Sequence, residues 1–296
     1  MIWQTSRFQI DMTQPKVMGI VNVTPDSFSD GGRFYAPANG MASALVHCEQ
    51  LVKDGADILD IGGESSRPGA QPLPVAEELA RVLPVVRFAV TLGVAVSVDT
   101  YKPEVMQAVL DAGTDIINDI WALRQPGAQQ VVAAHSACGI CLMHMHREPQ
   151  TMQAQPMQGD VVVQVLAFLK ERASALESLG VQHPRIVLDP GIGFGKTVEQ
   201  NFALLARQVE LLTAGYLLLA GWSRKSSLAA VCSKLPELAF QMTSAERLVP
   251  SIAAAVLAIE RGARVIRVHD VKQTVQALKV WRSAGADASL ATLQNQ

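Results

Sequence analysis

Eight short apolar runs recur along the 296 residues of this chain, and segments compatible with helices lie between them. Within each run the residues are nearly all apolar and do not alternate with polar ones. This pattern is typical of strands that are buried on both faces, as in parallel sheets. The runs cover residues 17–21, 58–61, 94–98, 116–117, 140–143, 186–188, 216–220 and 265–268.

The segments between the runs carry helix signals. Residues 103–112 begin with a proline in the first turn, repeat apolar residues at helical spacing and stop at Gly113. Gly55, Gly113 and Gly262 share one pattern, in which a glycine ends a helix and a strand begins after two further residues. Eight strands alternating with helices predict a closed (β/α)8 TIM barrel. A doubly wound open sheet is the alternative, but no G-x-G-x-x-G motif follows the first run.

The chain is expected to form a single domain, because no linker rich in Ser, Gly or Pro divides it. We assign residues 1–14 to an N-terminal hairpin or strand against the bottom of the barrel. Residues 15–285 form the barrel in this scheme, and residues 286–296 form a C-terminal tail.

Composition argues against a protein that binds nucleic acid or membranes and predicts a cytoplasmic location. Apolar residues make up 49% of the chain and the net charge is −2, so neither a nucleic acid nor a membrane surface is an expected partner. Four cysteines in a chain of this length do not predict a disulfide framework. Cys138 and Cys141 have the spacing of a redox or zinc pair, but Cys141 lies within an apolar run, so we favour buried core thiols.

Polar side chains follow every predicted strand. In a TIM barrel the C-terminal ends of the strands converge on one mouth, where the active site lies. These rim residues are Asn22, Asp60, Asp99, Asn118, His144, Asp189, the segment 223–225 and the segment 267–270.

The types of these residues predict an anionic ligand with a donor-rich ring. Lys225 is a mobile cation, and the residue after it, Ser226, adds a hydroxyl donor at a predicted helix start, which attracts anions. Arg267 and His269 alternate on the last strand, so they share a face and can jointly hold a diphosphate. Three further rim side chains offer oxygen acceptors suited to the N–H groups of an aminopyrimidine, namely Asp99, Asn118 and Asp189.

Three loops at the predicted mouth are long or rich in glycine, as binding loops often are. We name them loop one (residues 23–32), loop two (residues 62–70) and loop six (residues 189–196). Loop six lacks the Walker spacing of a phosphate-binding loop. Its glycines are expected to let the backbone approach a flat ligand closely.

Taken together, these stretches resemble dihydropteroate synthase. The matching stretches, in family order, are MGIVNVTPDSFSDGG (18–32), GGESSRPG (62–69), SVDT (97–100), IIND (116–119), LDPGIGFGK (188–196), SRKS (223–226) and IRVHDV (266–271). The resemblance implies that (7,8-dihydropterin-6-yl)methyl diphosphate reacts with 4-aminobenzoate to give 7,8-dihydropteroate and diphosphate, with Mg²⁺ as cofactor and a homodimer as the assembly. The sequence departs from the family pattern at Ser66, Ile192 and Trp222, which puts the shape of the aminobenzoate pocket in question.

The resemblance also implies roles for individual residues. Asn22 would be the protein ligand of Mg²⁺. The residues at the pterin and the diphosphate, and therefore the catalytic set, would be Asp99, Asn118, Asp189, Lys225, Arg267 and His269. The aminobenzoate side would be built by Phe28, Ser66, Arg67, Pro68, Phe194 and Ser226.

Two other functions are open. A pterin-binding methyltransferase acting on methyltetrahydrofolate would share the barrel and the pterin pocket, but it expels no diphosphate and does not need the pair Arg267 and His269. A catalytically inactive pterin-binding protein would bind its ligand without turnover. The retained Lys225, Arg267 and His269 argue against the inactive protein, and detection of diphosphate release would separate the synthase from the methyltransferase.

Overall fold

The computed structural model describes residues 1–24, 37–65, 69–148, 152, 155–233, 242–243 and 245–285. Eight parallel strands close into a barrel in chain order, and the last strand pairs with the first. The strands are β1 (Ile2–Gln4), β2 (Gln9–Asp11), β3 (Lys16–Asn22), β4 (Ile58–Gly62), β5 (Ala95–Asp99), β6 (Ile116–Asp119), β7 (Gly139–Met143), β8 (Ile186–Asp189), β9 (Leu217–Ala220) and β10 (Ala263–Val268). β3 to β10 form the barrel and lie on the eight predicted runs, so the prediction of a TIM barrel is confirmed.

Helices lie between the barrel strands and cover their outer face. They are α1 (Pro37–Lys53), α2 (Val75–Ala89), α3 (Pro103–Asp111), α4 (Ala128–Ala134), α5 (Val161–Ser178), α6 (Val198–Ala206), α7 (Gln208–Leu211), α8 (Ser226–Cys232), α9 (Leu248–Glu260) and α10 (Val271–Ser283). Local sequence sets their starts. α6 begins with a capping box between Thr197 and Gln200, and α5 begins with Asp160 accepting two backbone N–H groups. Among the helices the structure describes, none has the length and apolarity needed to cross a bilayer.

The N-terminal hairpin closes the bottom of the barrel, as predicted. β1 and β2 pair antiparallel, and the side chain of Trp3 is fully buried. Its indole Nε1 donates a hydrogen bond to the carbonyl oxygen of Arg185 over 3.0 Å. Trp3 packs in one cluster with Ile58, Ala95 and Ile116, the first residues of their strands. The hairpin therefore excludes water from the barrel interior at the end opposite the mouth.

Cys138 and Cys141 are buried on opposite sides of the barrel wall. Cys138 belongs to the apolar cluster between the sheet and the helices, and its sulfur lies 3.2 Å from the guanidinium of Arg185. Cys141 belongs to the cluster inside the barrel. Burial raises the pKa of both thiols, so neither is an activated thiolate.

Candidate active site

One arginine connects three strands at the centre of the barrel mouth. Arg267 on β10 donates from Nε to Asp60 Oδ2 over 2.6 Å and from Nη2 to Asp99 Oδ2 over 2.8 Å. Asn118 on β6 donates from Nδ2 to the same oxygen of Asp60 over 3.2 Å. Parallel strands bring these residues to one level because their C-terminal ends lie side by side. Three of the predicted site residues are thus part of one network around the fully buried Asp60.

Asp60 is a site residue that the sequence interpretation placed on the rim but did not select. Its second carboxylate oxygen, Oδ1, is buried and accepts no hydrogen bond from the described residues. The available signal was its position inside a run of buried apolar residues, where an unpaired carboxylate would be costly. A partner therefore had to exist, although the sequence did not indicate which residue it would be.

Burial shifts the pKa values of the groups around this network toward neutrality. It raises the pKa of Asp99 to about 7, against the opposing effect of the Arg267 guanidinium. It also raises the pKa of Asp189, which is held down in part by the backbone N–H of Gly191, 2.7 Å from Oδ1. Burial and the neighbouring Arg267 lower the pKa of Lys225 to about 8. Groups that exchange protons near neutral pH are characteristic of functional sites.

Lys225 lies against the aromatic ring of Phe194. Its Nζ is 4.3 Å from the ring centroid, a cation–π contact, and Asp189 and Asp99 both stabilise its charged form. Lys225 is the residue that precedes α8, and Ser226 begins that helix and is exposed. The structure therefore brings together Lys225 and Phe194, and Ser226 follows Lys225 at the start of α8.

His269 is fixed by Ser223. The Ser223 hydroxyl oxygen accepts the backbone N–H of His269 over 3.2 Å and lies 2.9 Å from the ring Nδ1. Ser223 therefore fixes the orientation of the His269 ring. The turn before α8 is held by Arg224, which has a φ of 58° and pairs with Asp270 over 2.8 Å. Ser223 was recognised in the sequence only as part of the SRKS stretch.

Two glycines of loop six are required by packing within the protein. Gly191 and Gly195 adopt φ values of 66° and 71°. A Cβ at Gly191 would lie 1.9 Å from the carbonyl oxygen of His144, and one at Gly195 would lie 2.7 Å from the Cβ of His146. These two glycines let loop six pack against the chain that follows β7. This packing requires glycine at both positions whether or not a ligand is bound, and the close approach of a flat ligand to loop six stays a prediction.

Lys196 holds loop six from within. Its buried Nζ donates to the carbonyl oxygens of Gly191 over 2.8 Å, Phe194 over 3.1 Å and His144 over 3.3 Å. Burial lowers the pKa of Lys196 to about 7, against the attraction of Asp189. Lys196 therefore fixes the backbone that carries Phe194, a role that the sequence interpretation did not assign.

Asn22 ends β3 beside the residues of the network. Its Oδ1 would lie 3.9 Å from a Cβ placed on Gly62, and the Asp99 Cβ would lie 3.6 Å from the same point. No group of three or more His, Cys, Asp or Glu suited to a metal occurs among the residues described. A single neutral amide oxygen fits a cation such as Mg²⁺, which takes most of its ligands from phosphate and water.

Four predicted site residues lie outside the described part of the chain: Phe28, Ser66, Arg67 and Pro68. Ser66, one of the three departures from the family pattern, is among them. The other two departures are buried in the cluster between the sheet and the helices, where Trp222 lies 5.3 Å from the ring of Phe202 and Ile192 is 3% exposed.

Comparison with known proteins gives a consistent answer. Residues 18–269 match the family described as pterin binding enzyme. The chain is 47% identical to the dihydropteroate synthase of Neisseria meningitidis serogroup B, over 96% of this chain and 98% of that protein. It is 43% identical to the dihydropteroate synthase of Escherichia coli K12, over 97% and 96%. The crystal structure of Burkholderia cenocepacia dihydropteroate synthase complexed with 7,8-dihydropteroate superimposes with a TM-score of 0.84 at 46% identity, covering 97% of this chain and 98% of that chain. This chain therefore belongs to the pterin-binding enzyme family and, within it, to the dihydropteroate synthases.

Proposed function

We propose that this site transfers the pterinylmethyl group of (7,8-dihydropterin-6-yl)methyl diphosphate to the amine of 4-aminobenzoate, releasing diphosphate and 7,8-dihydropteroate. The observation that carries the proposal is the placement of Arg267 between Asp60 and Asp99 at the mouth, with Lys225 facing Asp189. This arrangement combines cations for a polyanionic leaving group with acceptors for a ring rich in N–H donors.

The pterin is recognised by Asp99, Asn118 and Asp189 in this proposal. Their oxygen atoms accept hydrogen bonds from the amino and ring N–H groups of the pterin. Lys225, lying over Phe194, bounds the same pocket. Asp60 contributes indirectly, because it holds both Arg267 and Asn118 in place.

The diphosphate lies at Arg267 and His269. Arg267 uses Nε and one Nη nitrogen on carboxylates, which leaves its Nη1 directed elsewhere to donate to the phosphate oxygens. The ring of His269, which Ser223 contacts at Nδ1, would donate a hydrogen bond to the diphosphate. When bound at Asn22, Mg²⁺ would supply further neutralisation of the leaving charge. These preorganised positive groups stabilise the charge that develops as the C–O bond breaks.

The reaction needs no covalent intermediate on the protein. The electron pair of the broken C–O bond leaves with the diphosphate, and the electron-rich pterin stabilises the cationic carbon, assisted by Asp99 and Asp189. The aminobenzoate nitrogen then forms the new C–N bond and loses a proton. Holding the two reactants aligned can supply about 7–11 kcal/mol of the barrier reduction.

We extend the proposal to the assembly and compartment of the protein. A homodimer is the assembly that the resemblance implies, and sedimentation equilibrium tests it. Four cysteines described as free thiols fit a reducing compartment such as the cytoplasm.

A coupled assay for diphosphate, run with and without 4-aminobenzoate, tests the reaction. Release that depends on aminobenzoate supports it. Pterin binding without any turnover would identify a binding protein, and methyl transfer from methyltetrahydrofolate without diphosphate release would identify a methyltransferase.

Titration calorimetry with Mg²⁺ tests the metal assignment. We expect weak binding to the protein alone and stronger binding with diphosphate, with the gain lost in Asn22→Ala, whereas tight binding without diphosphate would contradict the assignment.

A further inference from the structure

A buried ion cluster joins Glu64 of loop two, and Leu73 just after that loop, to helix α2. Lys102 is only 8% exposed, and its Nζ donates to the carboxylates of Glu64 and Glu78, the latter over 2.5 Å. It also donates to the carbonyl oxygen of Leu73 over 2.6 Å. Three donors on one ammonium group thus reach three different parts of the chain.

Glu64 is the centre of this cluster. Its Oε1 accepts the hydroxyl of Tyr101 over 2.8 Å, and its Oε2 accepts the backbone N–H of Leu73 over 2.9 Å in addition to Lys102. Glu64 and Leu73 lie on either side of residues 66–68 in the chain. The cluster therefore fixes both ends of the segment that carries the proposed aminobenzoate ligands.

The residue before Glu64 is also immobilised against α2. A Cβ on Gly63 would lie 2.7 Å from Val82 Cγ1, so the backbone here packs directly onto the helix. Arg81 donates to the carbonyl oxygen of Gly63 over 3.0 Å. The start of loop two is thus held by packing on one side and by ionic bonds on the other.

The same cluster is connected to the pterin side through four consecutive residues. Asp99, which pairs with Arg267, precedes Tyr101 and Lys102 by two and three positions. Between them, the N–H of Thr100 donates to the carbonyl oxygen of Asn118 over 3.1 Å. One short stretch of backbone therefore carries both a pterin-side carboxylate and the residues that hold loop two.

We propose that Lys102, with its counterions Glu64 and Glu78, is a positioning residue that sets the aminobenzoate subsite without touching either substrate. This inference rests on the proposed function. Because Lys102 bonds to Glu64 and Leu73, on either side of residues 66–68, and to Glu78 of α2, its loss should weaken the use of aminobenzoate and leave the pterin side unchanged. A residue that merely stabilises the barrel would affect both substrates alike or neither.

The test is a comparison of KM values for the two substrates in the full-length enzyme, measured by diphosphate release. In Lys102→Met, we expect the KM for 4-aminobenzoate to rise at least tenfold and the KM for the pterin diphosphate to stay within threefold. Tyr101→Phe removes a single hydrogen bond to Glu64, and we expect a two- to fivefold rise in the KM for aminobenzoate alone. Should Lys102→Met not fold, Tyr101→Phe decides the question.

Asp115→Asn is the matched control, because Asp115 is a fully buried carboxylate paired with Arg7 over 2.5 Å near the N-terminal end of β6. It should lower the melting temperature and change neither KM. A KM for aminobenzoate within twofold of wild type in folded Lys102→Met and in Tyr101→Phe would overturn the inference, as would a parallel rise of both KM values. Wild-type protein that releases no diphosphate in response to aminobenzoate would overturn the proposed function instead.

Discussion

Replacing Lys225 with methionine should make the protein more stable and nearly inactive. At the mouth of the barrel, burial and Arg267 lower the pKa of Lys225 from 10.5 to about 8. At neutral pH the folded state therefore holds a charge that is about 3 kcal/mol less favourable than in the unfolded chain. Methionine has a similar length and no charge. The cation–π contact with Phe194 is lost, at a cost of about 1 kcal/mol. The net gain in unfolding free energy should be about 1–2 kcal/mol at pH 7.

Activity should change in the opposite direction. Loss of one preorganised polar group at a reacting centre costs about 2.7–4 kcal/mol of transition-state stabilisation. This corresponds to a fall in kcat/KM of about 100- to 1,000-fold. Urea denaturation measures the stability, and aminobenzoate-dependent diphosphate release measures kcat/KM.

The pH dependence of the stability difference separates this explanation from better packing of the methionine. A folded-state pKa below the unfolded value means that the unfolded chain binds more protons between pH 8 and pH 10.5, so the stability of the wild type rises through that range. The advantage of Lys225→Met should be full below pH 8 and should shrink as pH 10.5 is approached. A variant less stable than wild type at pH 7, or turnover within threefold of wild type, would refute the reasoning.

Three further predictions test other parts of the structure. Asp60→Asn should lower the unfolding free energy by about 1.5–3 kcal/mol and kcat/KM at least tenfold, because Arg267 loses a charged acceptor. An unchanged urea midpoint together with unchanged kinetics would contradict the proposed role of the network. Cys138→Ser with Cys141→Ala should keep kcat/KM within threefold, since both thiols are buried in the core, and loss of catalysis in the folded double variant would contradict this. Gly191→Ala should lower the unfolding free energy by at least about 3 kcal/mol, because the new Cβ would lie 1.9 Å from the carbonyl oxygen of His144. The control Gly180→Ala, at a φ of 86° with nothing within 4 Å, should lower it by only about 1–2 kcal/mol. Equal losses in thermal denaturation would show that backbone strain alone is responsible.

The barrel could be predicted from the sequence because its signals are local. A strand formed by a nearly continuous apolar run such as 58–61 has apolar side chains on both faces of its sheet. Both faces are buried when helices cover one and the packed barrel interior covers the other. The observed bounds of a strand differ from the predicted ones where backbone pairing continues beyond the apolar residues. β6 extends beyond 116–117 to include Asn118 and Asp119, because parallel pairing with β7 continues through these polar residues.

The partners within the site could not be predicted in the same way. Arg267 and Asp60 are 207 residues apart, and no local pattern connects two positions at that separation. The sequence identified the rim and its residue types, because strand ends converge in any TIM barrel. It did not identify which carboxylates pair with Arg267, or that Lys102 is buried between two glutamates. These choices depend on side-chain reach and on the tilt of the strands.

The distribution of unfavourably buried charge separates the part of the molecule that supports the fold from the part that carries out the reaction. Burial raises the pKa of Asp99, Asp119 and Asp189 and lowers the pKa of Lys196 and Lys225, and all five lie at or just after the C-terminal ends of barrel strands. The opposite end is closed by the apolar cluster around Trp3. A sequence selected only for stability would replace such groups with apolar ones of similar volume. The retention of Asp99, Asp189 and Lys225 is explained by a substrate that needs them, and it is why Lys225→Met is expected to gain stability while it loses turnover.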